Sequence, residues 1–143
     1  MAVAVVSGEK FDGVDFGTAP GTGYIIGTTP ISELLRVDEA EHAVAMIGAK
    51  YFHHPAGDPG GSDRKPDSQV RVTMLVNQGR WRQRVWSAET GKSVEVFLQE
   101  PGDFIAWIPG LWHSWYPELA STMLTVGYKR KSAEPVAGAI RRI

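Results

Sequence analysis

The 143-residue sequence contains no cysteine. This absence excludes disulfide bonds, thiolate metal sites and a cysteine nucleophile, and it is compatible with a reducing cytoplasm. Long apolar runs are also missing, because no stretch approaches the roughly 18 apolar residues that a membrane span needs. The apolar opening at residues 2–6 has no basic stretch before it and no cleavage-site pattern after it, so we interpret it as a first strand. We therefore expect a cytoplasmic protein with no membrane partner.

The sequence also lacks an excess of either charge. Fifteen lysines and arginines stand against 16 aspartates and glutamates, which gives a formal net charge of −1. The arginines are scattered and form no basic stripe of the kind that follows a phosphate backbone, so we expect no nucleic-acid partner. With 43% hydrophobic residues, the chain has the length and composition of one globular domain with a buried core.

Turn-forming residues, by contrast, are abundant. Sixteen glycines and nine prolines recur at short intervals, which favours many short strands joined by turns. Residues 23–27 predict a short strand, and residues 31–42 have a composition compatible with a helix. The apolar run His42–Phe52 predicts a strand that bends at Gly48, since glycine in a strand often marks a bend of a barrel.

A loop and an alternating strand follow. Glycine, proline, aspartate and serine dominate residues 55–68, and a connection of this length is often a functional lid, with a passive loop as the alternative. Residues 69–77 then alternate between apolar and polar side chains, with Val72 and Met74 on the apolar face. We expect that face to point into the core.

The pair Gln78-Gly79 predicts a turn that leads into residues 80–86 as an antiparallel hairpin. On this second strand, Trp81 and Gln83 share one face because side chains alternate along a strand. The opposite face carries three arginines, which is typical of a solvated or subunit-facing surface, although it could also receive an acidic ligand.

The stretch Pro101–Tyr116, PGDFIAWIPGLWHSWY, contains a Gly-Asp turn, a Pro-Gly turn and a histidine between two tryptophans. It resembles the second signature motif of the cupin family, because Gly102, Gly110 and His113 fall on the spacing of that motif. The proline position of the family is occupied by Ile108. The resemblance implies a small β-barrel in which His113 points inward, where cupins usually place one of four metal ligands. The alternative interpretation is a buried structural histidine.

The first cupin motif, with two histidines and a glutamate before a glycine, is degenerate in this sequence. If Gly79 is the glycine of that motif, Val72 takes the glutamate position, and Pro66 and Ser68 take the histidine positions. Three of the four usual ligands are then missing, so we expect no bound metal or other cofactor.

The alternative is a divalent metal such as iron, manganese, nickel or zinc in an unusual site. Its ligands would be His113 with His53 or His54, completed by Asp63 or Asp67 from the loop.

The resemblance, which covers residues 43–128, therefore implies an all-β, cupin-type jelly-roll β-barrel with one short helix. The sequence is also similar to a branch of small bacterial single-domain cupins. We expect a single domain over residues 1–143, with the barrel core at about 23–130, an N-terminal strand and strap at 1–22 and a tail at 131–143.

The expected site is a dry, apolar cup that holds a small organic molecule. Small-ligand sites are concave and mostly apolar, with a few polar groups. His113 and His53 are the candidate proton-transfer residues, since imidazole exchanges protons near neutral pH. The candidate substrate-binding residues are Trp81, Gln83, Trp107, Trp115, Tyr51, Val72 and Met74.

Three functions follow from this expectation. The first is a metal-independent enzyme that isomerises, cyclises or dehydrates a small, largely apolar carbonyl compound through His113. The second is a non-catalytic module that binds or senses a metabolite, and the third is a dioxygenase-like metalloenzyme. Small cupins commonly pair, so we also expect a homodimer, with the arginine-bearing face of residues 80–86 as a possible contact.

Overall fold

The computed structural model describes residues 3–37, 44–59, 66 and 68–130. These residues form nine strands and one short 3₁₀ helix, η1. The strands are β1 (Ala4–Gly8), β2 (Val14–Thr18), β3 (Val44–His54), β4 (Val70–Leu75), β5 (Arg80–Trp86), β6 (Ser93–Leu98), β7 (Asp103–Trp107), β8 (Trp112–Leu119) and β9 (Ser121–Arg130), and η1 is Glu33–Leu35. Within the described part of the chain, no helix has the length and apolar character to cross a membrane.

The strands form two antiparallel sheets that pack face to face. One sheet has the order β1-β6-β5-β8, and the other has the order β2-β7-β4-β9-β3. Strands that follow each other in sequence often lie in different sheets, as in a jelly roll. The predicted all-β jelly-roll barrel with one short helix is confirmed.

The predicted hairpin between β4 and β5 is wrong. β4 pairs with β7 and β9, whereas β5 pairs with β6 and β8 in the other sheet. The chain crosses between the sheets at Gly79, where a Cβ atom would lie 2.9 Å from the Cα atom of Ser121. Glycine at this position therefore permits a close approach of two backbones, a role that a hairpin turn does not require.

The barrel has an apolar cluster on each side of the second sheet. The inner cluster lies between the two sheets and includes Leu75, Trp81, Val85, Ile105 and Met123. The outer cluster covers the other face of the second sheet and is closed by the segment that contains Leu35. Its buried members are Leu35, Val70, Val72, Phe104, Ala106, Val126 and Tyr128.

The face of β4 that points inward differs from the expected one. Val72 is a member of the outer cluster and Met74 packs against it, so neither side chain faces the interior between the sheets. The inward side chains of β4 are Arg71, Thr73 and Leu75. Because both faces of β4 are covered, the apolar face in the sequence did not identify the barrel interior.

The N-terminal third has less regular structure than the sequence predicted. Residues 23–27 form isolated bridges rather than a strand, with Tyr24 opposite Pro30 and Gly27 opposite Arg36. Of the helix expected at 31–42, the described residues 31–37 form only the single turn of η1, and residues 38–43 lie outside the described residues. The bend predicted at Gly48 is supported by a register shift between Met46 and Gly48 in the pairing of β3 with β9.

Asp15 of β2 anchors η1 to the barrel. The hydroxyl of Ser32, which caps η1, donates to Asp15 Oδ2 over 2.6 Å, and Lys10 Nζ lies 2.8 Å from Asp15 Oδ1. Burial disfavours the charged carboxylate, but the hydrogen bonds from Lys10 and Ser32 outweigh burial and lower the pKa of Asp15 below its ordinary value of 3.8. The ionised carboxylate therefore links β2 to the segment that covers the outer cluster.

Candidate functional site

A cavity of about 270 Å³ opens between the two sheets. This volume is just below the range of about 300–1,000 Å³ that is usual for small-ligand sites, so a compact ligand would fill it. Both sheets contribute side chains to its wall. The lining residues are Gly48, Ala49, Lys50, Phe52, His54, Gln69, Arg71, Thr73, Trp81, Gln83, Trp107, His113, Trp115, Met123, Thr125 and Gly127.

Three tryptophans contribute to the aromatic part of the wall, and all three are among the candidate substrate-binding residues. Trp81 of β5 and Trp115 of β8 are stacked, with ring centroids 4.6 Å apart and an interplanar angle of 17°. Trp107 of β7 lies in the other sheet, and its ring centroid is 4.9 Å from that of His113. Flat aromatic surfaces from both sheets are suited to a flat ligand.

His54, at the end of β3, is enclosed by aromatic rings. Only 5% of its surface is exposed, and its ring centroid lies 4.5 to 4.9 Å from those of Phe52, Trp81 and Trp115. Its Nδ1 atom is 3.0 Å from Oδ2 of Asp58. A carboxylate can only accept, so Nδ1 carries the proton, and in the neutral ring Nε2 is left as an acceptor.

A tight turn after β3 positions Asp58. The backbone N–H of Gly57 donates to the carbonyl of Pro117 over 2.7 Å, and the N–H of Asp58 donates to the carbonyl of Pro55. Gly57 has a φ of 78°, a left-handed conformation that glycine adopts without strain. The turn is thus tied to β8, which also carries His113 and Trp115.

His113 is the second imidazole at the cavity. It lies on β8, opposite Val85 of β5, and is 8% exposed. The turn at Gly110, with a φ of 94°, precedes this strand and sets its start. His113 thus faces the cavity, as the resemblance to cupins implies. The chemical role of His113 stays a prediction.

The second sheet also contributes polar side chains to the wall, in contrast to the expected aliphatic interior. Lys50, Gln69, Arg71, Thr73 and Thr125 all line the cavity, and the hydroxyls of the two threonines are 2.8 Å apart. Two of these side chains are cations. Among the described residues that line the cavity there is no aspartate or glutamate.

Gln83 and Trp107 both line the cavity, and each has a buried N–H group without a partner in the described part of the chain. Gln83 is 1% exposed and Trp107 is 2% exposed. The indole N–H of Trp81 donates to Oε1 of Gln83 over 2.8 Å, whereas Nε2 of Gln83 and Nε1 of Trp107 have no hydrogen-bond partner among the described residues. Burying such a donor without a partner costs about 1–3 kcal/mol, so both groups indicate a place for a ligand acceptor.

His53 and Tyr51 do not line the cavity. Nδ1 of His53 lies 2.9 Å from Oγ1 of Thr122, and the His53 side chain is exposed, as is Tyr51 at 67%. Alternation along β3 turns these two residues outward and turns Phe52 and His54 inward. The structure thus places His54, and not His53, beside the tryptophans.

The described residues do not fit a metal ion. No three histidine, aspartate or glutamate side chains within the described ranges come together as a possible ligand set. The inward positions of β4, namely Arg71, Thr73 and Leu75, offer neither imidazole nor carboxylate. Aligning the cupin motif one residue further along would therefore not restore the missing ligands. Asp63 and Asp67, which the alternative metal site required, lie outside the described residues.

No family model matches the sequence, and no curated protein sequence matches it either. The structure is similar to that of HEPD from Streptomyces albus, which was solved with 2-hydroxyethylphosphonate and Fe(II). The TM-score is 0.51 at 15% identity, and the match covers 95% of this chain but 26% of the HEPD chain. This chain therefore spans about a quarter of HEPD, and the similarity shows the fold alone.

Weaker similarities connect the chain to two other cupin-fold proteins. The first is the CENP-C cupin domain of Drosophila melanogaster, with a TM-score of 0.48 and 12% identity, and the match covers 87% of this chain and 74% of that one. The second is the dTDP-4-dehydrorhamnose 3,5-epimerase of Sulfolobus tokodaii, with a TM-score of 0.46 and 20% identity, and the match covers 64% of this chain and 55% of that one. No functional argument rests on either similarity.

Proposed function

We propose that this chain is a cupin-fold enzyme that binds a small, flat molecule in the cavity and isomerises, cyclises or dehydrates it by metal-independent proton transfer. The observation that carries the proposal is the pairing of His54 with Asp58 inside a box of tryptophans. A base, a residue that orients it and an aromatic wall thus occur together. The degenerate first metal motif supports the metal-independent form of the chemistry.

His54 is the proposed general base. With its Nδ1–H bonded to Asp58, Nε2 can take a proton from a carbon next to a carbonyl group of the substrate, and the carboxylate of Asp58 then stabilises the resulting imidazolium. The aromatic rings around His54 exclude water, which strengthens these electrostatic interactions. His54 takes the place that the sequence analysis assigned to His53.

His113 is the proposed second proton-transfer group. It donates a hydrogen bond to the carbonyl oxygen while the C–H bond breaks, or it delivers a proton to a different atom of the substrate. In an isomerisation the protons balance, because His54 takes one proton from the substrate and His113 returns one to it. In a dehydration, the departing hydroxyl receives the proton and leaves as water.

Binding without catalysis is the second candidate function. The unpartnered donors of Gln83 and Trp107 favour a bound ligand whether or not it reacts. In that case His113 and His54 would orient the ligand by hydrogen bonds alone.

A ligand screen followed by a solvent-isotope measurement tests the proposal. Small aromatic and carbonyl compounds are first ranked by the rise in the unfolding temperature of the protein, and the compounds that bind are then incubated with the protein in D₂O. We expect NMR to show deuterium incorporation or conversion of a binder, which His113→Gln slows while the binder still associates. Binding without any exchange or conversion would favour the sensor, and unchanged exchange in His113→Gln would remove His113 from the mechanism.

A further inference from the structure

The hydrogen-bonding groups of the cavity identify the class of ligand. We propose that the ligand carries a carboxylate on a flat apolar body, with its oxygen atoms held by Gln83 Nε2 and Trp107 Nε1 and its charge balanced by Lys50. This inference rests on the proposed function in placing the ligand in the same cavity. It goes further in naming the group by which the ligand is recognised.

The orientation of the Gln83 amide follows from its neighbour. An indole N–H can only donate, so the side-chain oxygen of Gln83 must face Nε1 of Trp81, at 2.8 Å. The amide nitrogen is then left with two N–H groups inside a residue that is 1% exposed. Trp107 adds a third donor of the same kind, because its indole nitrogen is also buried and cannot accept.

The matching ligand group must therefore be an acceptor. A hydroxyl oxygen can accept two hydrogen bonds, but its own proton then needs an acceptor, and an ammonium group cannot accept at all. A group with several lone pairs and no proton matches these donors better. Carbonyl and carboxylate oxygens have this property. Hydrogen bonds to a charged oxygen are also about twice as strong as those to a neutral one.

The charge of the cavity wall favours a carboxylate over a neutral carbonyl group. Lys50 lines the cavity as a cation, and no acidic side chain does so within the described part of the chain. Lys50 is at the exposed rim, with its Nζ atom 5.3 Å from the centre of the Phe52 ring. A negative ligand would lower the electrostatic energy of this wall, whereas a neutral carbonyl compound would not.

The aromatic wall accounts for the other half of the ligand. The stacked rings of Trp81 and Trp115 offer a flat surface, and the cavity of about 270 Å³ has room for one compact molecule. A single-ring aromatic carboxylate combines both features. Benzoate and phenylacetate are therefore suitable probes, and benzamide and phenylacetamide are neutral molecules of the same shape.

The test compares these pairs by titration calorimetry on the full chain. We expect each carboxylate to bind wild-type protein about tenfold more tightly than its amide, or better, because the donors and Lys50 act on its charge. Gln83→Glu keeps the oxygen that Trp81 needs and replaces the donor with a negative group, so it should weaken carboxylate binding by about tenfold or more. The matched control is Arg84→Gln, on the exposed outer face over Trp86, which should leave the binding unchanged.

Equal affinity for carboxylate and amide, or no saturable binding of either carboxylate, would overturn the inference. So would full carboxylate affinity in Gln83→Glu. If circular dichroism shows that Gln83→Glu does not fold, Trp107→Phe provides the decision, since it removes one donor from an aromatic wall and should lower the carboxylate affinity severalfold. Unchanged affinity in that variant would also contradict the inference.

The outcomes keep this inference apart from the proposed function. A carboxylate preference without proton exchange in the wild-type protein would contradict the enzyme and leave the carboxylate site standing. Proton exchange on neutral carbonyl compounds without a carboxylate preference would contradict the carboxylate site and leave the proposed enzyme standing.

Discussion

Nδ1 of His54 and Oδ2 of Asp58 lie 3.0 Å apart, four residues from each other across the turn that ends β3. The imidazole is buried among aromatic rings, while the carboxylate remains partly exposed at the edge of the barrel. This arrangement holds Nδ1 of the ring in place and leaves Nε2 as its acceptor. Asp58, in the turn, therefore determines the tautomer of His54, in the cavity.

Asp58 is accordingly a positioning residue, and its replacement should affect the rate more than the binding. In Asp58→Asn the amide can donate to Nδ1 and favour the wrong tautomer, so we expect the exchange rate of a bound carbonyl compound to fall about 10²-fold or more. Ligand affinity, measured by calorimetry, should change little. Asp12→Asn, at an exposed position before β2, serves as the control and should keep the wild-type rate. A rate in Asp58→Asn equal to that of the control would remove Asp58 from the mechanism.

Gly79→Ala should destabilise the barrel. The added methyl group would meet the backbone and side chain of Ser121 where the chain crosses between the sheets, and we expect a loss of roughly 1–3 kcal/mol in the free energy of unfolding. Urea denaturation measures this loss. Gly21→Ala is the matched control, because, apart from the adjacent residues of the chain, no described atom lies within 4 Å of the added group. Equal stability of the two variants would argue against the close crossing at Gly79.

Leu35→Ala should uncover the outer cluster. Leu35 is fully buried there against the second sheet, so its truncation should cost about 2–5 kcal/mol in the free energy of unfolding. Leu119→Ala, which truncates a leucine that is 57% exposed, should cost less than about 0.5 kcal/mol by the same denaturation assay. A small effect of Leu35→Ala would contradict the packing of η1 on the sheet.

Asp15 should make stability depend on pH in the acid range. Its pKa in the folded chain is below the ordinary 3.8, so the unfolded chain takes up the proton first as the pH falls. The contribution of Asp15 to stability is therefore fully present above 3.8 and disappears as the pH falls through the lower folded value. Asp15→Asn should remove this part of the acid dependence in urea unfolding, and the exposed Glu89→Gln should retain it. An identical acid dependence in wild type and Asp15→Asn would contradict the role of the Lys10 and Ser32 hydrogen bonds.

The sequence was sufficient to predict the all-β barrel, because its turn residues and the spacing of Gly102, Gly110 and His113 are local features. The three cavity tryptophans could be predicted for the same reason, since alternation assigns a face to each of them. The face of β4 could not be predicted. Both of its faces are covered, and the choice between Val72 and Thr73 depends on the distant Leu35, which covers the outer side.

The choice between His53 and His54 was open for a related reason. Alternation shows that the two histidines face opposite ways, but only the pairing of β3 with β9 decides which one points inward. Asp58 was not singled out, because it stood in a stretch that composition identifies simply as a loop. Its spacing of four residues from His54, across a turn with Gly57, is the signal that could have identified it.

The outward arginines agree with the expected surface, and their role in a dimer stays a prediction. Arg82 pairs with Glu95 and Glu118 on the same sheet, at 2.8 and 3.4 Å, while Arg80 lies over the ring of Phe97. The arginines of β5 thus make contacts within the chain. These contacts account for their exposed, outward positions without a partner subunit.

The comparison of two neighbouring histidines tests the central claim most directly. Deuterium incorporation from D₂O into a bound carbonyl compound is followed by NMR in wild type, His54→Gln and His53→Gln. We expect His54→Gln to lose at least about 10²-fold of the exchange rate, because it lacks the base, and His53→Gln to keep the wild-type rate, because that ring faces away from the cavity. Exchange at the wild-type rate in His54→Gln, or its loss in His53→Gln alone, would contradict the account.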